Sequence, residues 1–183
     1  MLLTVLTSVA FLGFAGKDAG RKRESIGKVT PKNAIQINNS PWGIQIGSLE
    51  KDHLAKAAAI GVKWTRLNAS WRGVETEKGV YRWEKNDEAF STALENGITP
   101  FICLDGSSPL YCKPSDEIEP RLKEIYGSSL APPTKDPKAL EAWLKFVRAA
   151  VERYKSKIRY WEIWNEPNHV HYWGAPPDGT DYG

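Results

Sequence analysis

The sequence has 183 residues, a net charge of +3, 41% hydrophobic and 26% charged residues. These values are close to globular averages and exclude a collagen-like, low-complexity or disordered chain. Two cysteines cannot build a disulfide framework, and so small a charge, spread along the chain, lacks the clustered basic face of a nucleic-acid binder.

Residues Leu2 to Gly16 (LLTVLTSVAFLGFAG) form the one continuous apolar run, shorter than the roughly 20 residues a membrane-spanning helix needs. No integral membrane span is therefore expected. The run reads as the apolar region of a secretory signal, with Gly13-Phe14-Ala15 as a small-x-small cleavage site. No Lys or Arg precedes it, so an N-terminal anchor or a buried N-terminal helix remain alternatives. The expected location is secreted or periplasmic. Residues 17–40 are polar, carry Lys17, Arg21, Lys22 and Arg23, and end in Asn38-Asn39-Ser40-Pro41. They read as a linker or mature N-terminus.

From Trp42 the pattern alternates. WGIQI (42–46) reads as a short strand; Ser48 can cap a helix that runs to Ile60 and stops at Gly61. VKWTRLN (62–68) is the second strand. WEKNDEAFSTALEN (83–96) is a helix with Phe90, Ala93 and Leu94 on one face and Gly97 as its stop. ITPFICL (98–104) is the third strand, followed by a long loop from Asp105 to Lys135. Asp136-Pro137 supplies an N-cap and a first-turn proline. Leu140, Trp143, Leu144, Val147, Val151 and Tyr154 mark an amphipathic helix, with Lys155 and Lys157 at its C-terminal end. IRYWEIW (158–164) is the fourth strand.

Strands alternating with helices predict an α/β fold with parallel strands joined by right-handed crossovers, either an open doubly wound sheet or a (β/α)8 barrel. No G-x-G-x-x-G follows the first strand, so nothing supports a dinucleotide fold. In both architectures the chemistry collects at the C-terminal ends of the strands, which here carry Gln45, Arg66, Asn68, Asp105, Asn165 and Glu166.

The sharpest segment is Trp161-Glu162-Ile163-Trp164-Asn165-Glu166-Pro167-Asn168. Simple alternation puts Glu162, Trp164 and Glu166 on one face. Pro167 biases Glu166 away from helical geometry and keeps it at the strand mouth. A carboxyl set beside indole rings is desolvated, which would raise its pKa and suit it to donate a proton near neutral pH. The bland alternative is a surface Glu that merely ends a strand.

WEIWNEPN resembles the fourth-strand signature of clan A glycoside hydrolases, the retaining glycosidases built on a (β/α)8 barrel. WRGVETEKGVYRWEKNDEAF, with its W-x-x-V-E-x-x-x-G-x-Y-x-W-x-x-x-D run, is similar to the stretch after strand 2, and ITPFICLDGSSPLY to strand 3 and its loop. The nearest resemblance is to glycoside hydrolase family 39, with family 5 next, and it spans roughly Trp42 to Gly183. It implies that Glu166 is the general acid/base, protonating the glycosidic oxygen and then deprotonating the incoming water. Asn165 would hydrogen-bond the hydroxyl next to the anomeric carbon. Arg66 would lie beneath the site and keep the nucleophilic carboxylate ionised, or else form a barrel-interior salt bridge. Trp71, Trp173, Tyr111 and Tyr172 follow strand ends and could stack on sugar rings, or simply pack. Asp105 and His169 are further candidate substrate contacts. The implied partner is a carbohydrate, and two carboxylates suffice, so no cofactor is called for. The H-x-H of His169 and His171 lacks an apparent third metal ligand, so no metal site is expected.

A retaining glycosidase needs a second carboxylate about 5–5.5 Å from the first, which clan A places at the end of strand 7. This sequence ends just after strand 4, and a whole barrel takes roughly 250 residues. The expectation is therefore the N-terminal half of a barrel, about four β/α units over residues 41–183, without its nucleophile. Glu162 is expected to pair with a barrel-interior cation. Open sheet edges recruit partners, so the 183-residue chain alone is expected to be poorly soluble, dimeric or inactive. In an exported protein Cys103 and Cys112 could form a disulfide; otherwise Cys103 is a core residue. The competing functional reading is a non-catalytic carbohydrate-binding protein on the same scaffold.

Overall fold

A computed structural model describes residues 30, 32–46, 50–116, 118, 120–121 and 130–182. Contacts divide the chain into residues 1–30 and 31–183. The signal and most of the linker read from the sequence, and the Ser48 cap, lie outside the described residues.

The alternation seen in the sequence folds as strand β1 (Gly43–Gln45), helix α1 (Lys51–Ala59), β2 (Trp64–Ser70), a short α2 (Trp71–Val74), a hairpin of β3 (Glu75–Glu77) and β4 (Val80–Tyr81), α3 (Glu84–Glu95), β5 (Thr99–Asp105), α4 (Pro137–Tyr154), β6 (Tyr160–Ile163) and the single turns α5 (Val170–Trp173) and α6 (Gly179–Tyr182). The main sheet has the order β1-β2-β5-β6, and every pair is parallel. Each crossover thus adds the next strand at the same advancing edge. A doubly wound sheet reverses its order at a switch point; these four strands do not reverse.

The helices start and stop for local reasons. Asp136 accepts from the backbone N–H groups of Lys138 and Ala139, with Pro137 at the first helical position, as the sequence predicts. Gly61 and Gly97, at φ 86° and 71°, follow α1 and α3 where a side chain would be strained.

Period-2 burial splits the sheet into two faces. Thr65, Leu67, Ala69, Ile102 and Leu104 are buried; Leu67, Ala69, Ile102 and Leu104 join Leu54 and Ala58 of α1, Phe90 and Ala93 of α3, and Trp143, Phe146 and Ala150 of α4 in one core. The polar face carries Arg66, Asn68 and Asp105. Aromatic rings knit the helical layer: Trp83 stacks on Phe146 at 5.8 Å, and Phe146 meets Trp143 at 5.4 Å. Arg153 of α4 holds Asp87 of α3, which also accepts from the Tyr154 hydroxyl.

The expected face of α4 holds at Trp143 and Tyr154, with Leu140 and Val147 half-buried against the core, and fails at Leu144. Its buried positions are Ala139, Ala142, Trp143, Phe146, Ala150 and Tyr154, whereas Leu144 is 53% exposed. The helix presses small residues and aromatic rings onto the sheet, and its aliphatic side chains flank the contact. β6 also departs from a buried strand: it forms one edge of the sheet, and Tyr160 and Ile163 are exposed. The β3/β4 hairpin was not expected at all. No helix among the described residues is long and apolar enough to cross a membrane.

Candidate active site at the strand mouth

Parallel strands bring residues from distant sequence to one rim. The register pairs Arg66 with Phe101, Asn68 with Cys103, Ser70 with Asp105, and Cys103 with Glu162. Side chains two apart on a strand point to the same face. Arg66, Asn68, Asp105 and Glu162 therefore share the face opposite the helices, and the strands' C-terminal ends open into a cavity of about 540 Å³. Asn68, Ser70, Arg72, Asp105, Asn165 and Tyr172 are among its lining residues.

Two hydrogen-bonded sets organise this rim. Arg66 donates through Nε to Glu162 Oε2 at 2.6 Å and through Nη2 to Glu162 Oε1 at 2.9 Å. The same Nη2 donates to Asn165 Oδ1 at 2.9 Å. Glu162's hydrogen bonds raise the guanidinium's pKa against the opposing effect of burial, so Arg66 is firmly charged. In the second set Asn68 Nδ2 donates to Asp105 Oδ2 at 2.7 Å. Burial pushes the Asp105 carboxyl up, opposed by that hydrogen bond and by the nearby Arg66 and Arg72 charges. Glu162 thus pairs with the interior cation expected for it, and Arg66 takes the salt-bridge arrangement.

Strand alternation fails where the site begins. Trp164 has φ 69° and Glu166 φ 45°, in the left-handed region that few non-glycine residues occupy. Trp164 continues the ladder through its N–H to Leu104 O at 2.7 Å. Its indole, however, is buried against Trp143 and Trp173, each at 5.3 Å, and donates Nε1–H to Tyr172 O at 3.0 Å. Glu162, Trp164 and Glu166 do not share a face. Asn165 turns onto the cavity lip, and the Glu166 side chain is exposed and is not among the lining residues. The desolvated carboxyl read from the sequence is not what the structure holds: the indoles that were to desolvate it are turned into the core.

Three expected sugar platforms take other places. Trp71 is fully buried, stacked with Tyr111 at 5.3 Å. Its Nε1–H donates to Glu75 Oε2 at 2.6 Å. Trp173 is 3% exposed, with Trp164 and Tyr182 edge-on. Tyr111 donates its hydroxyl to Glu75 Oε1 at 2.6 Å and lines a different cavity beside Lys78 and Glu141. Burial thus closes Trp71 and Trp173 to a sugar, and Tyr111, half-buried, lies at this other cavity and not at the mouth. Tyr172, by contrast, is 47% exposed and lines the mouth cavity. His169 is exposed and accepts from the His171 N–H; His171, not His169, lines the cavity. No group of three or more His, Cys, Asp or Glu disposed to hold a metal occurs among the described residues. Cys103 and Cys112 are free and buried, so the disulfide is not formed.

Sequence reasoning missed Glu75, Ser70 and Arg72. Glu75 is 1% exposed and accepts from Trp71, Tyr111 and the Gly79 N–H. It staples the hairpin to the core. A Glu inside a W-x-x-V-E run gave a signal, but one that does not say whether the carboxylate is structural or catalytic.

The chain matches no family model. It is 28% identical over 124 residues to the aryl-phospho-β-D-glucosidase BglA of Bacillus subtilis, covering 64% of this chain and 23% of that protein. Among solved structures, a family 39 β-xylosidase from Caulobacter crescentus superposes with a TM-score of 0.53 at 25% identity, over 77% of this chain and 34% of that one. The chain resembles family 39 glycoside hydrolases. A β-galactosidase from the haloarchaeon Halorubrum lacusprofundi shares the fold, with a TM-score of 0.54 at 20% identity over 72% of this chain and 22% of that one. The chain spans between 22% and 34% of the length of these proteins. Its parallel sheet and helical layer are thus an α/β arrangement of the kind found in barrel glycosidases, and its relatives are β-glycosidases.

Proposed function

We propose that the chain is about four β/α units of a (β/α)8 barrel, the N-terminal half of an exported retaining β-glycosidase that acts on a β-linked glycoside or polysaccharide. The carrying observation is the Asn165-Glu166 pair at the end of β6. Asn165 lies on the lip of the mouth cavity with its amide oxygen held by Arg66. In this reading Asn165 binds the hydroxyl next to the anomeric carbon and Glu166 serves as acid, then base. The nucleophile comes from sequence beyond this chain, and the apolar Leu2–Gly16 run directs export. The open sheet supports the barrel: Trp64, Arg66 and Phe101 line a shallow depression of about 460 Å³ on the face away from the helices, where further units would pack.

A second reading rests on one observation, the exposure of Glu166 outside the cavity lining. It is a non-catalytic carbohydrate-binding protein on the same scaffold. Steady-state kinetics of Glu166→Gln in the full natural protein separates the two. With aryl β-glycosides of poor leaving-group ability, kcat/KM should fall roughly 10²- to 10⁴-fold; with strongly activated leaving groups, which need no proton, it should change far less. An equal loss on every substrate would refute the acid role. A natural protein that binds β-linked sugars without turning any over would favour the second reading.

A further inference from the structure

Glu162 is not required by the two-carboxylate chemistry, yet among the described residues it makes both of its hydrogen bonds to the one side chain that holds Asn165. We propose that Glu162 is a positioning residue that, through Arg66, fixes which end of the Asn165 amide faces the substrate. The proposal rests on the reading of Asn165 as a sugar-hydroxyl ligand.

The argument is one of donors and acceptors. Arginine has five N–H donors and no acceptor, whereas an amide has an oxygen that accepts and a nitrogen that donates. Arg66 can therefore face only the amide oxygen, and it does so at 2.9 Å. The nitrogen is left as a donor on the cavity lip, with no hydrogen-bond partner among the described residues. A free amide would turn over and offer the sugar either end.

Arg66 in turn needs holding. Its Nη2 carries two hydrogens, one directed to Glu162 Oε1 and one to Asn165 Oδ1, while Nε reaches Glu162 Oε2. The bidentate fork fixes the guanidinium plane, and the second Nη2 hydrogen then points at Asn165 by geometry. The Arg66 side chain is 12% exposed and that of Glu162 37%; water that took the carboxylate's place would satisfy the guanidinium without fixing its plane. Without the carboxylate, the guanidinium plane is free to rotate and the amide loses its reference.

The test compares a β-glycoside with its 2-deoxy analogue in the full natural protein. The readout is the ratio of the two kcat/KM values. Asn165→Ala should shrink the ratio by roughly 100-fold, the usual scale for one preorganised donor to a developing charge. Glu162→Gln, close in shape but without the fork, should shrink it by at least about tenfold. The double variant should fall no further than Asn165→Ala alone. Arg66→Lys, which keeps the charge but cannot span both partners, should collapse the ratio likewise and covers the case in which Glu162→Gln fails to fold. A structural role for Glu162 would lower both substrates equally; that result, or an unchanged ratio, overturns the proposal. If Asn165→Ala itself leaves the ratio unchanged, the reading of Asn165 fails and the positioning role falls with it.

Discussion

The helical layer rests on Phe146, and its replacement gives the most direct measure of how α4 is phased. Phe146 is fully buried. Its ring lies 5.4 Å from Trp143, 5.8 Å from Trp83, 6.2 Å from Tyr81 and 6.3 Å from Trp71. Phe146→Ala removes a ring whose loss from a core costs about 3–5 kcal/mol, because four large neighbours cannot collapse into the space. Against a total stability of about 5–15 kcal/mol that is a large fraction, and at about 2–4 °C per kcal/mol it lowers Tm by roughly 6–20 °C. Leu144 lies on the same helix and is the residue that hydrophobicity alone would place in the core. It is 53% exposed, so Leu144→Ala should change stability by no more than about 0.5 kcal/mol, with helix propensity slightly in its favour. Urea unfolding followed by tryptophan fluorescence measures both, with an unchanged m-value as the check that only stability moved. If Leu144→Ala costs as much as Phe146→Ala, the helix is rotated from the phase described and the core assignment is wrong.

Two further outcomes follow from buried titratable groups. Burial and the Glu75 carboxylate push the Tyr111 phenol up to about 12, above its unfolded value of about 10; the stability it contributes is whole below pH ~10 and is lost as pH rises through ~12. Ultraviolet titration at the tyrosinate band should show one fewer late-ionising phenol in Tyr111→Phe than in the wild type, where Tyr81 and Tyr154 are raised as well; no difference between the two curves would refute it. Burial pushes the Cys103 thiol up to about 12 and raises Cys112 as well, so both should react slowly with a thiol reagent near pH 8 and fully after unfolding. A protein that releases two thiols only after reduction would overturn the free-cysteine assignment.

The order of elements was readable because each strand and helix carries its own periodicity. The Asp136-Pro137 cap and the stops at Gly61 and Gly97 are local chemistry and hold in the structure. The α4 contact was only partly readable: Trp143 and Tyr154 mark it, whereas Ala139, Ala142 and Ala150 carry little hydrophobic signal and are buried for their small size. The β3/β4 hairpin, of three and two residues, is too short for period-2 alternation to register; it is held by Glu75, a tertiary contact. At the rim, Asn165 and Asp105 were identified by their place at strand ends, and both line the cavity. Trp71, Trp173 and Tyr111 occupy equally suggestive positions, but a position after a strand does not say which way a ring turns. Each has a buried carboxylate or another ring within reach, and those contacts decided it.

The turn at the end of β6 shows why a tryptophan precedes the amide and the carboxylate. Left-handed backbone costs a non-glycine residue about 1–2 kcal/mol, and both Trp164 and Glu166 adopt it. Such strain persists only where surrounding structure over-determines it. Trp164 supplies that determination: its indole is 3% exposed, meets two other indoles, and donates to a carbonyl eight residues on. Burying so large a ring contributes on the order of 3 kcal/mol, comparable with the strain of the two residues together. A strand that simply continued would carry Trp164 onto the polar face beside Glu162, over Arg66. Anchoring the ring in the helical layer clears that space, and the Arg66 fork reaches Asn165 through it. The core contact and the polar rim are thus two sides of one backbone reversal, and a ring anchored in the core is what opens the site.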